Sequence, residues 1–290
     1  MIFSPIALVS LVRPKHWTKN AFVLVPLFLS FRFFDSVALL RAAAAFVVFC
    51  LAASAVYIGN DILDRERDRL HETKRLRPVA SGAIGIPAAI VSLTLLAIAA
   101  TAAAFALSPG AGFLVIAYLG LNAAYSFHLK RIPIVDVFIL AAGFVLRVLV
   151  GAEVIGVPVS NWMILITIFL SLFLGFGKRR SEILAEGAGE HRRVLATYTP
   201  EVLTVYIMMC GVLTIVTYAF YTIDEEVASR FFAARLLYTI PLVAFGLFRY
   251  ILLVIGNGEG GDVADLVLKD KAILCSLALW VGILLWAHQW

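Results

Sequence analysis

The sequence predicts an all-α, polytopic membrane protein with about nine transmembrane helices around a cytoplasm-facing cavity. Of its 290 residues, 62% are hydrophobic and only 15% are charged, and the mean hydropathy is +0.97. A soluble domain is roughly half apolar and about a quarter charged. A chain this apolar therefore exposes most of its surface to lipid, where a helix satisfies its own backbone hydrogen bonds.

Apolar stretches of membrane-spanning length recur along the whole chain. Pro26 interrupts the first stretch, and we expect a short interfacial helix from about residue 5 to precede it. We expect all the spans to form one transmembrane domain over residues 1–290. The predicted spans cover residues 20–34, 42–62, 86–107, 110–128, 133–156, 160–178, 202–222, 236–255 and 269–289.

The distribution of Lys and Arg predicts the orientation. Most of the 24 such residues lie in the N-terminal segment and in alternate loops. Positive charge concentrates on the cytoplasmic side, so we place the N-terminus and these loops in the cytoplasm, in an inner (cytoplasmic) membrane. The net charge of +5 and the pI near 9.2 are then explained by contact with anionic lipid, without a nucleic-acid partner.

An acidic cluster follows the second predicted span. Asp61, Asp64 and Asp68 are spaced by three and four residues, and Asn60 precedes them. On a helix this spacing places the carboxylates along one face. Oxygen ligands on one face suit Mg²⁺, which keeps waters and is usually shared with substrate phosphates. The pattern indicates a magnesium-diphosphate site at the mouth of a membrane helix; the alternative is a solvated helix end held by salt bridges.

Cations follow this cluster in its own segment and recur in the other charged segments, where those near residues 130 and 178 have an alternative role as lipid anchors. A group of fixed cations beside a carboxylate can hold an anion. Asp136, at the start of the fifth span, is either a second acid of the site or an ordinary helix-N-terminal carboxylate. The other candidates are Lys19, Lys74, Arg75, Arg77, Lys130, Lys178, Arg179 and Glu182.

Arg147 lies inside an otherwise apolar span, about three turns or roughly 16 Å beyond Asp136. An arginine in a bilayer is costly, and it faces a cavity or a partner. We interpret Arg147 as facing the cavity; the alternative is an ion pair with Glu153.

The residues that nucleophilic or zinc-dependent enzymes use are not arranged for that chemistry in the sequence. The five histidines are scattered, and Cys50, Cys210 and Cys275 lie in apolar runs, where we expect small core residues. An acidic cluster among cations fits a reaction in which a diphosphate leaves with Mg²⁺ and the nucleophile arrives already ionised. No protein base is then needed.

At these residues the chain resembles the UbiA superfamily of intramembrane prenyltransferases. Asn60-Asp61-x-x-Asp64-x-x-x-Asp68 has the form of the first aspartate-rich motif of that superfamily. Its aromatic prenyltransferases carry a second such motif, at which this chain has only Asp136. The resemblance is closer to the polyprenyl-phosphate phosphoribosyltransferase branch. The shared features are Arg13-Pro14-x-x-Trp17-x-Lys19-Asn20, Lys74-Arg75-x-Arg77-Pro78, Tyr125-Ser126-x-x-Leu129-Lys130, Asp136 with Phe144 and Arg147, and Gly177-Lys178-Arg179-x-x-Glu182 followed by Tyr198-Thr199.

The resemblance implies Mg²⁺-dependent transfer of 5-phosphoribosyl from phosphoribosyl diphosphate to a polyprenyl (decaprenyl-like) phosphate, with release of pyrophosphate, in cell wall biosynthesis. It implies that Asn60, Asp61, Asp64 and Asp68 hold Mg²⁺, and that Arg147 or Lys19 neutralises the lipid phosphate. The residues that it implies for the rest of substrate binding are Lys74, Arg75, Arg77, Tyr125, Lys130, Asp136, Lys178, Arg179 and Glu182.

Two other functions are weighed against this one. The first is a UbiA-type aromatic prenyltransferase with a polyprenyl diphosphate donor, which the reduced second motif disfavours. The second is a transporter, which the intramembrane Arg147 permits; however, the acidic cluster lies at a helix end, and transporter sites lie near the bilayer midplane. Association into a homo-oligomer is left open.

Overall fold

The computed structural model describes residues 5–184, 195–228, 233–256, 266–267 and 269–288. Helices account for most of these residues, which confirms the all-α prediction. The α-helices are α1 (Pro5–Val12), α2 (Val25–Leu29), α3 (Ser36–Leu63), α4 (Arg65–Leu70), α5 (Ile86–Leu107), α6 (Pro109–Phe127), α7 (Val135–Ile155), α8 (Asn161–Leu184), α9 (Pro200–Ile223), α10 (Glu225–Ala228), α11 (Ala233–Leu236), α12 (Ile240–Ile251) and α13 (Lys271–Ala287). Short 3-10 segments cover Pro14–Leu24, Arg32–Phe34, Lys74–Leu76, Leu129–Arg131, Leu195–Thr197 and Leu237–Thr239, and a π-helical turn covers Leu252–Gly256.

Seven helical segments in the described part of the chain are long and apolar enough to cross a membrane: Ser36–Leu63, Ile86–Leu107, Pro109–Phe127, Val135–Ile155, Asn161–Leu184, Pro200–Ile223 and Leu237–Gly256. Helix α13 is apolar but shorter. The predicted count of nine spans is therefore not confirmed.

The first predicted span, residues 20–34, is not one continuous helix. A 3-10 segment runs to Leu24, α2 covers only five residues, and Phe31 has a left-handed backbone with φ 55°. Pro26 cannot donate a backbone hydrogen bond, so it is accommodated only in the first turn of α2. The short helix expected before this region is confirmed as α1.

The chain divides into two compact units, Met1–Lys130 with Gly143–Val159, and Arg131–Ala142 with Ser160–Trp290. The single domain over residues 1–290 therefore stays a prediction. In the first unit, α3 packs against α5, α6 and the 3-10 segment Pro14–Leu24. Buried alanines such as Ala45 and Ala52 of α3 line this packing, and small residues let helix backbones approach closely.

Gly151 of α7 marks a close approach of two backbones in the first unit. A Cβ atom added there would lie 1.9 Å from the backbone oxygen of Val23, so only glycine fits. The 3-10 segment Pro14–Leu24 is thereby held against the C-terminal half of α7. This packing brings polar residues of the segment to the side chain of Arg147.

The second unit has its own apolar core, in which α8 packs against α9 and α12 packs against α13. Phe173 of α8 and Leu203 and Ile207 of α9 are almost fully buried. The three cysteines form no disulfide; Cys50 and Cys210 are buried as expected, whereas Cys275 is exposed on α13. The prediction that Cys275 is a core residue is wrong, because an apolar run in a membrane protein also supplies lipid-facing positions.

Candidate active site

The acidic cluster lies at the junction between α3 and α4. Helix α3 ends at Leu63 and α4 begins at Arg65, so the three aspartates do not share one unbroken helix. The backbone N–H groups of Asp64 and Asp68 nevertheless donate to carbonyls four residues back, each at 2.8 Å. The helical spacing of the carboxylates is thus retained across the junction. Asp61 and Asp68 are buried and Asp64 is half-buried.

Each carboxylate of the cluster is bound by a cation from outside the α3–α4 junction. Arg13 Nη2 contacts Asp61 Oδ1. Arg77 Nη1 lies 2.6 Å from Asp68 Oδ2 and 3.3 Å from Asp61 Oδ1. Lys130 Nζ lies 2.8 Å from Asp64 Oδ1. The structure therefore assembles Asp61, Asp64, Asp68 and two of the predicted cations at one place, and it adds Arg13.

One oxygen of the cluster has no partner among the residues that the structure describes. Asp61 Oδ2 is buried and accepts no hydrogen bond from any of them. A buried carboxylate oxygen left unsatisfied is costly, and such an atom in a native protein calls for a missing ligand. Within the described ranges, no three His, Cys, Asp or Glu side chains are grouped closely enough to hold a metal ion. The donor set is nevertheless all oxygen, which suits Mg²⁺, and it includes the unsatisfied Asp61 Oδ2.

Asn60 is oriented by a serine from α6. Ser126 Oγ lies 2.5 Å from Asn60 Oδ1 and 2.7 Å from the backbone oxygen of Asn122. A hydroxyl carries one proton and can donate to only one of two acceptors. Ser126 thus lies within hydrogen-bond distance of Asn60 Oδ1 and of the α6 backbone, and it holds the Asn60 side chain beside α6.

The remaining predicted residues of the first unit lie on nearby segments of the chain. Lys74 and Arg75 form the 3-10 segment that leads to Arg77, with Lys74 half-buried and Arg75 exposed. Tyr125 of α6 and Lys19 of the N-terminal 3-10 segment are half-buried. Their roles in substrate binding stay predictions.

Arg147 is buried among neutral partners, with only 6% of the residue exposed. It donates to Asn20 Oδ1 at 2.9 Å, to the Gly143 backbone oxygen at 2.8 Å and to the Tyr118 hydroxyl at 3.1 Å. Its guanidinium carbon also lies 4.9–5.3 Å from the centres of three aromatic rings, those of Phe49, Tyr118 and Phe144.

The alternative ion pair between Arg147 and Glu153 is not observed. Glu153 instead accepts a hydrogen bond from Ser108 at 3.1 Å, near the start of α6. Arg147 is thus the centre of a polar and aromatic cluster that joins α3, α6, α7 and the N-terminal 3-10 segment.

The second unit holds a separate buried network around Asp136. Asp136 is fully buried, and Arg179 Nε donates to its Oδ2 at 2.8 Å. Arg179 Nη1 also lies 2.6 Å from Glu182 Oε2. The Tyr198 hydroxyl donates to Asp136 Oδ1 at 3.1 Å and accepts the backbone N–H of Ile134. Burial raises the pKa of the Tyr198 phenol to about 12, so this hydroxyl stays protonated as a donor.

This network changes the interpretation of three predicted ligands. Asp136, Arg179 and Glu182 are brought together as expected, but Asp136 and Arg179 neutralise each other inside the unit. The neighbouring Lys178 is half-buried, and Gly177 before it packs against the Tyr250 hydroxyl, where an added Cβ would lie 2.7 Å from the oxygen. The convergence of these residues with the acidic cluster stays a prediction.

Three residues with clear roles in these contacts were absent from the predicted site. They are Arg13 at Asp61, Ser126 at Asn60 and Tyr198 at Asp136. All three lie in or directly beside the motifs shared with the UbiA superfamily, next to Pro14, Tyr125 and Thr199 respectively, and this position is the signal that predicts a role for them. Residue type alone does not select them from the other arginines, serines and tyrosines.

The fold and the site together define a membrane-embedded, all-helical protein with a cation-bound acidic cluster at a helix end. The family model described as the UbiA prenyltransferase family matches residues 21–257. The chain belongs to the UbiA prenyltransferase family and is an integral membrane transferase.

Relatives and solved structures agree with this assignment over nearly the whole chain. The chain is 32% identical to a decaprenyl-phosphate phosphoribosyltransferase of Mycolicibacterium smegmatis, over 95% of this chain and 90% of that protein. It is 34% identical to the protein of the same name in Corynebacterium glutamicum, over 94% of this chain and 84% of that protein. A UbiA homologue from Archaeoglobus fulgidus bound to GPP and Mg²⁺ has the same fold, with a TM-score of 0.75 and 18% identity over 96% of this chain and 98% of that chain.

Proposed function

We propose that this protein transfers the 5-phosphoribosyl group of phosphoribosyl diphosphate to a polyprenyl phosphate and releases pyrophosphate. The observation that carries the proposal is the buried acidic cluster, with cations on every carboxylate and one unpaired oxygen on Asp61. The names of the relatives at 32–34% identity support this donor and this acceptor.

Mg²⁺ fits the acidic cluster because the available ligands are oxygens and Asp61 Oδ2 is unsatisfied. Asn60, Asp61, Asp64 and Asp68 would hold the ion on the diphosphate of the donor. When bound, the ion neutralises the charge that develops on the departing pyrophosphate. The Mg²⁺ in the homologue from Archaeoglobus fulgidus supports this assignment.

The cations beside the cluster would bind the phosphates of the donor. Arg77 and Lys130 already lie within 3 Å of carboxylates in the cluster, so a diphosphate held there is within their reach. Lys74 and Arg75 stand next to Arg77 in the chain and are assigned to the 5-phosphate. A fixed cation stabilises phosphate charge by charge-assisted hydrogen bonds.

The reaction exchanges one bond at ribosyl C1 for another. The C1–O bond to the diphosphate breaks, and pyrophosphate leaves with the electron pair. An anionic oxygen of the lipid phosphate forms the new C1–O bond. Breaking a glycosidic bond builds oxocarbenium character at C1, and the phosphate nucleophile is already ionised near pH 7, with a second pKa of about 6. The protein therefore has to position the reactants and stabilise charge, and needs no base.

The structure suggests different tasks for Lys19 and Arg147. Arg147 is buried among neutral and aromatic groups, so we assign the lipid phosphate to Lys19 and a positioning role to Arg147. Arg147 acts through Asn20, which is the neighbour of Lys19 on the 3-10 segment. Tyr125 remains a proposed contact of the substrate.

We also propose that the site faces the cytoplasm. The clustering of Lys and Arg in the N-terminal segment and in alternate loops supports this orientation. Phosphoribosyl diphosphate is a highly charged, water-soluble compound, which is consistent with a site open to the cytoplasm.

Purified protein offered two donor–acceptor pairs tests the function. The first pair is phosphoribosyl diphosphate with a polyprenyl phosphate, and the second is a prenyl diphosphate with an aromatic acid. We expect Mg²⁺-dependent pyrophosphate release and a phosphoribosyl lipid only with the first pair. The Asp61→Ala variant should lose this activity, and Glu66→Ala, at an exposed acid of α4, should keep it. Turnover of the second pair alone would identify an aromatic prenyltransferase instead.

A further inference from the structure

We propose that Arg13 is a placeholder cation: it neutralises Asp61 while the metal is absent, and it moves its guanidinium to the diphosphate when a divalent cation takes the carboxylate. The identity of the diphosphate as a donor group rests on the proposed function. The exchange itself follows from the contacts of Arg13 and Asp61.

The first argument is the uneven charge around the Asp61 carboxylate. Oδ1 contacts both Arg13 and Arg77, whereas Oδ2 has no partner in the described part of the chain. A divalent cation that binds the Asp61 carboxylate therefore lies close to both guanidinium groups that contact it. Like charges at such short range repel strongly where solvent is excluded. At least one arginine has to withdraw for the cation to bind well.

The two arginines differ in how firmly they are held elsewhere. Arg77 lies 2.6 Å from Asp68 and only 3.3 Å from Asp61, so Asp68 anchors it when Asp61 is taken. For Arg13 the described part of the chain provides one ion-pair partner, Asp61. The side chain of Arg13 is 17% exposed and that of Asp61 is 1% exposed, so Arg13 reaches the carboxylate from the open side.

The second argument is the backbone of Arg13. This residue is left-handed, with φ 53° and ψ 60°, although it is not glycine and directly precedes Pro14. Such a conformation persists where the surrounding structure holds it, and it concentrates at functional sites.

Contacts on both sides hold the Arg13 backbone in place. Ser54 Oγ lies 2.8 Å from the carbonyl oxygens of both Val12 and Cys50, and Trp17 Nε1 donates to Ser54 Oγ at 3.2 Å. The backbone is thus held against α3 before and after Arg13, so the proposed exchange moves only the side chain. The Tyr57 ring, 5.5 Å from the guanidinium carbon, provides a surface along which it can turn.

Measuring the affinity for a metal ion in the absence of substrate distinguishes this exchange from a purely structural ion pair between Arg13 and Asp61. The probe is Mn²⁺ alone, followed by electron paramagnetic resonance, and then pyrophosphate binding measured in the presence of Mn²⁺. We expect Arg13→Met to bind Mn²⁺ about tenfold more tightly, because the competing cation is gone, and to bind pyrophosphate about tenfold more weakly. Each tenfold change corresponds to about 1.4 kcal/mol.

Two further variants make the result decisive. Lys15→Met removes one positive charge from an exposed residue two positions away, and it should change neither affinity. Arg13→Lys keeps the charge but not the forked donor, so Mn²⁺ affinity should stay near that of the wild type while pyrophosphate binding weakens. Weaker or unchanged Mn²⁺ binding in Arg13→Met would overturn the proposal. Failure of the wild type to use phosphoribosyl diphosphate would overturn the proposed function and leave these binding results intact.

Discussion

Arg179 Nε lies 2.8 Å from Asp136 Oδ2, and both side chains are buried in the second unit. A buried ion pair contributes little net stability as a pair, but loss of one partner leaves an uncompensated buried charge. The pair therefore fixes how the start of α7 meets the end of α8. Asp136 is a buried partner of Arg179 in this unit, and its role as a second acid of the site stays a prediction.

Removal of the Asp136 carboxylate should destabilise the protein. We expect Asp136→Ala to lower the free energy of unfolding by about 3–5 kcal/mol, because Arg179 stays buried without its partner. The double variant Asp136→Leu with Arg179→Met should recover most of this loss. Thermal unfolding in detergent, followed by circular dichroism, measures both, with Glu201→Ala as an exposed control. An Asp136→Ala protein of normal stability that has lost only donor binding would make Asp136 a ligand of the substrate.

The Tyr198 hydroxyl should make the stability of the protein sensitive to alkaline pH. Burial raises the pKa of Tyr198 from its ordinary value of 10.0 to about 12. The unfolded chain ionises first, so the stabilising contribution of Tyr198 is complete below pH 10 and is lost as the pH rises through 12. We expect Tyr198→Phe to unfold more easily at neutral pH and to lose less stability over this window than the wild type. Unfolding midpoints at stepped pH measure the difference, with the exposed Tyr238→Phe as control. Equal slopes in the wild type and Tyr198→Phe would contradict the assignment.

Substitution of Arg147 should destabilise the folded protein, rather than act on the transfer reaction directly. Arg147→Met leaves Asn20 and Tyr118 without their donor and removes the cation from three aromatic rings. We expect a loss of about 2–4 kcal/mol in the free energy of unfolding. Arg147→Lys should recover only part of it, because an ammonium group cannot reproduce the forked contacts. Arg41→Met, at an exposed arginine of α3, is the control for loss of a charge. If the Arg147→Met protein is stable but no longer binds the lipid phosphate, Arg147 is a ligand of that phosphate.

Loss of the Ser126 hydroxyl should weaken binding of the donor without unfolding the protein. Ser126→Ala frees the Asn60 amide to rotate, and we expect KM for phosphoribosyl diphosphate to rise about tenfold, the equivalent of one hydrogen bond between neutral groups. Ser126→Thr keeps the hydroxyl and should restore KM. Ser92→Ala, which removes a hydroxyl bonded only within α5, is the matched control. An unchanged KM in Ser126→Ala would show that Asn60 needs no orienting partner.

The acidic cluster shows how much of the candidate site can be predicted from local sequence spacing. The spacing of Asp61, Asp64 and Asp68 predicts carboxylates on one face, and the backbone hydrogen bonds across Asp64 preserve that spacing even though the helix breaks there. Two of the cations that bind these carboxylates come from distant parts of the chain. Arg13 is 48 residues from Asp61, and Lys130 is 66 residues from Asp64. Among many chemically similar Lys and Arg side chains, sequence spacing gives no reason to choose these two.

The sequence by itself determined the all-α membrane architecture, the oxygen-rich acidic cluster and the resemblance to the UbiA superfamily. These properties depend on hydropathy and on short helical spacings, which act locally. Only the tertiary structure decided that Arg13 holds Asp61, that Arg147 is buried among neutral partners, and that Asp136 is locked to Arg179. Such pairings are set by how distant helices pack, since the same charged side chain is a ligand, an anchor or a structural partner according to what surrounds it.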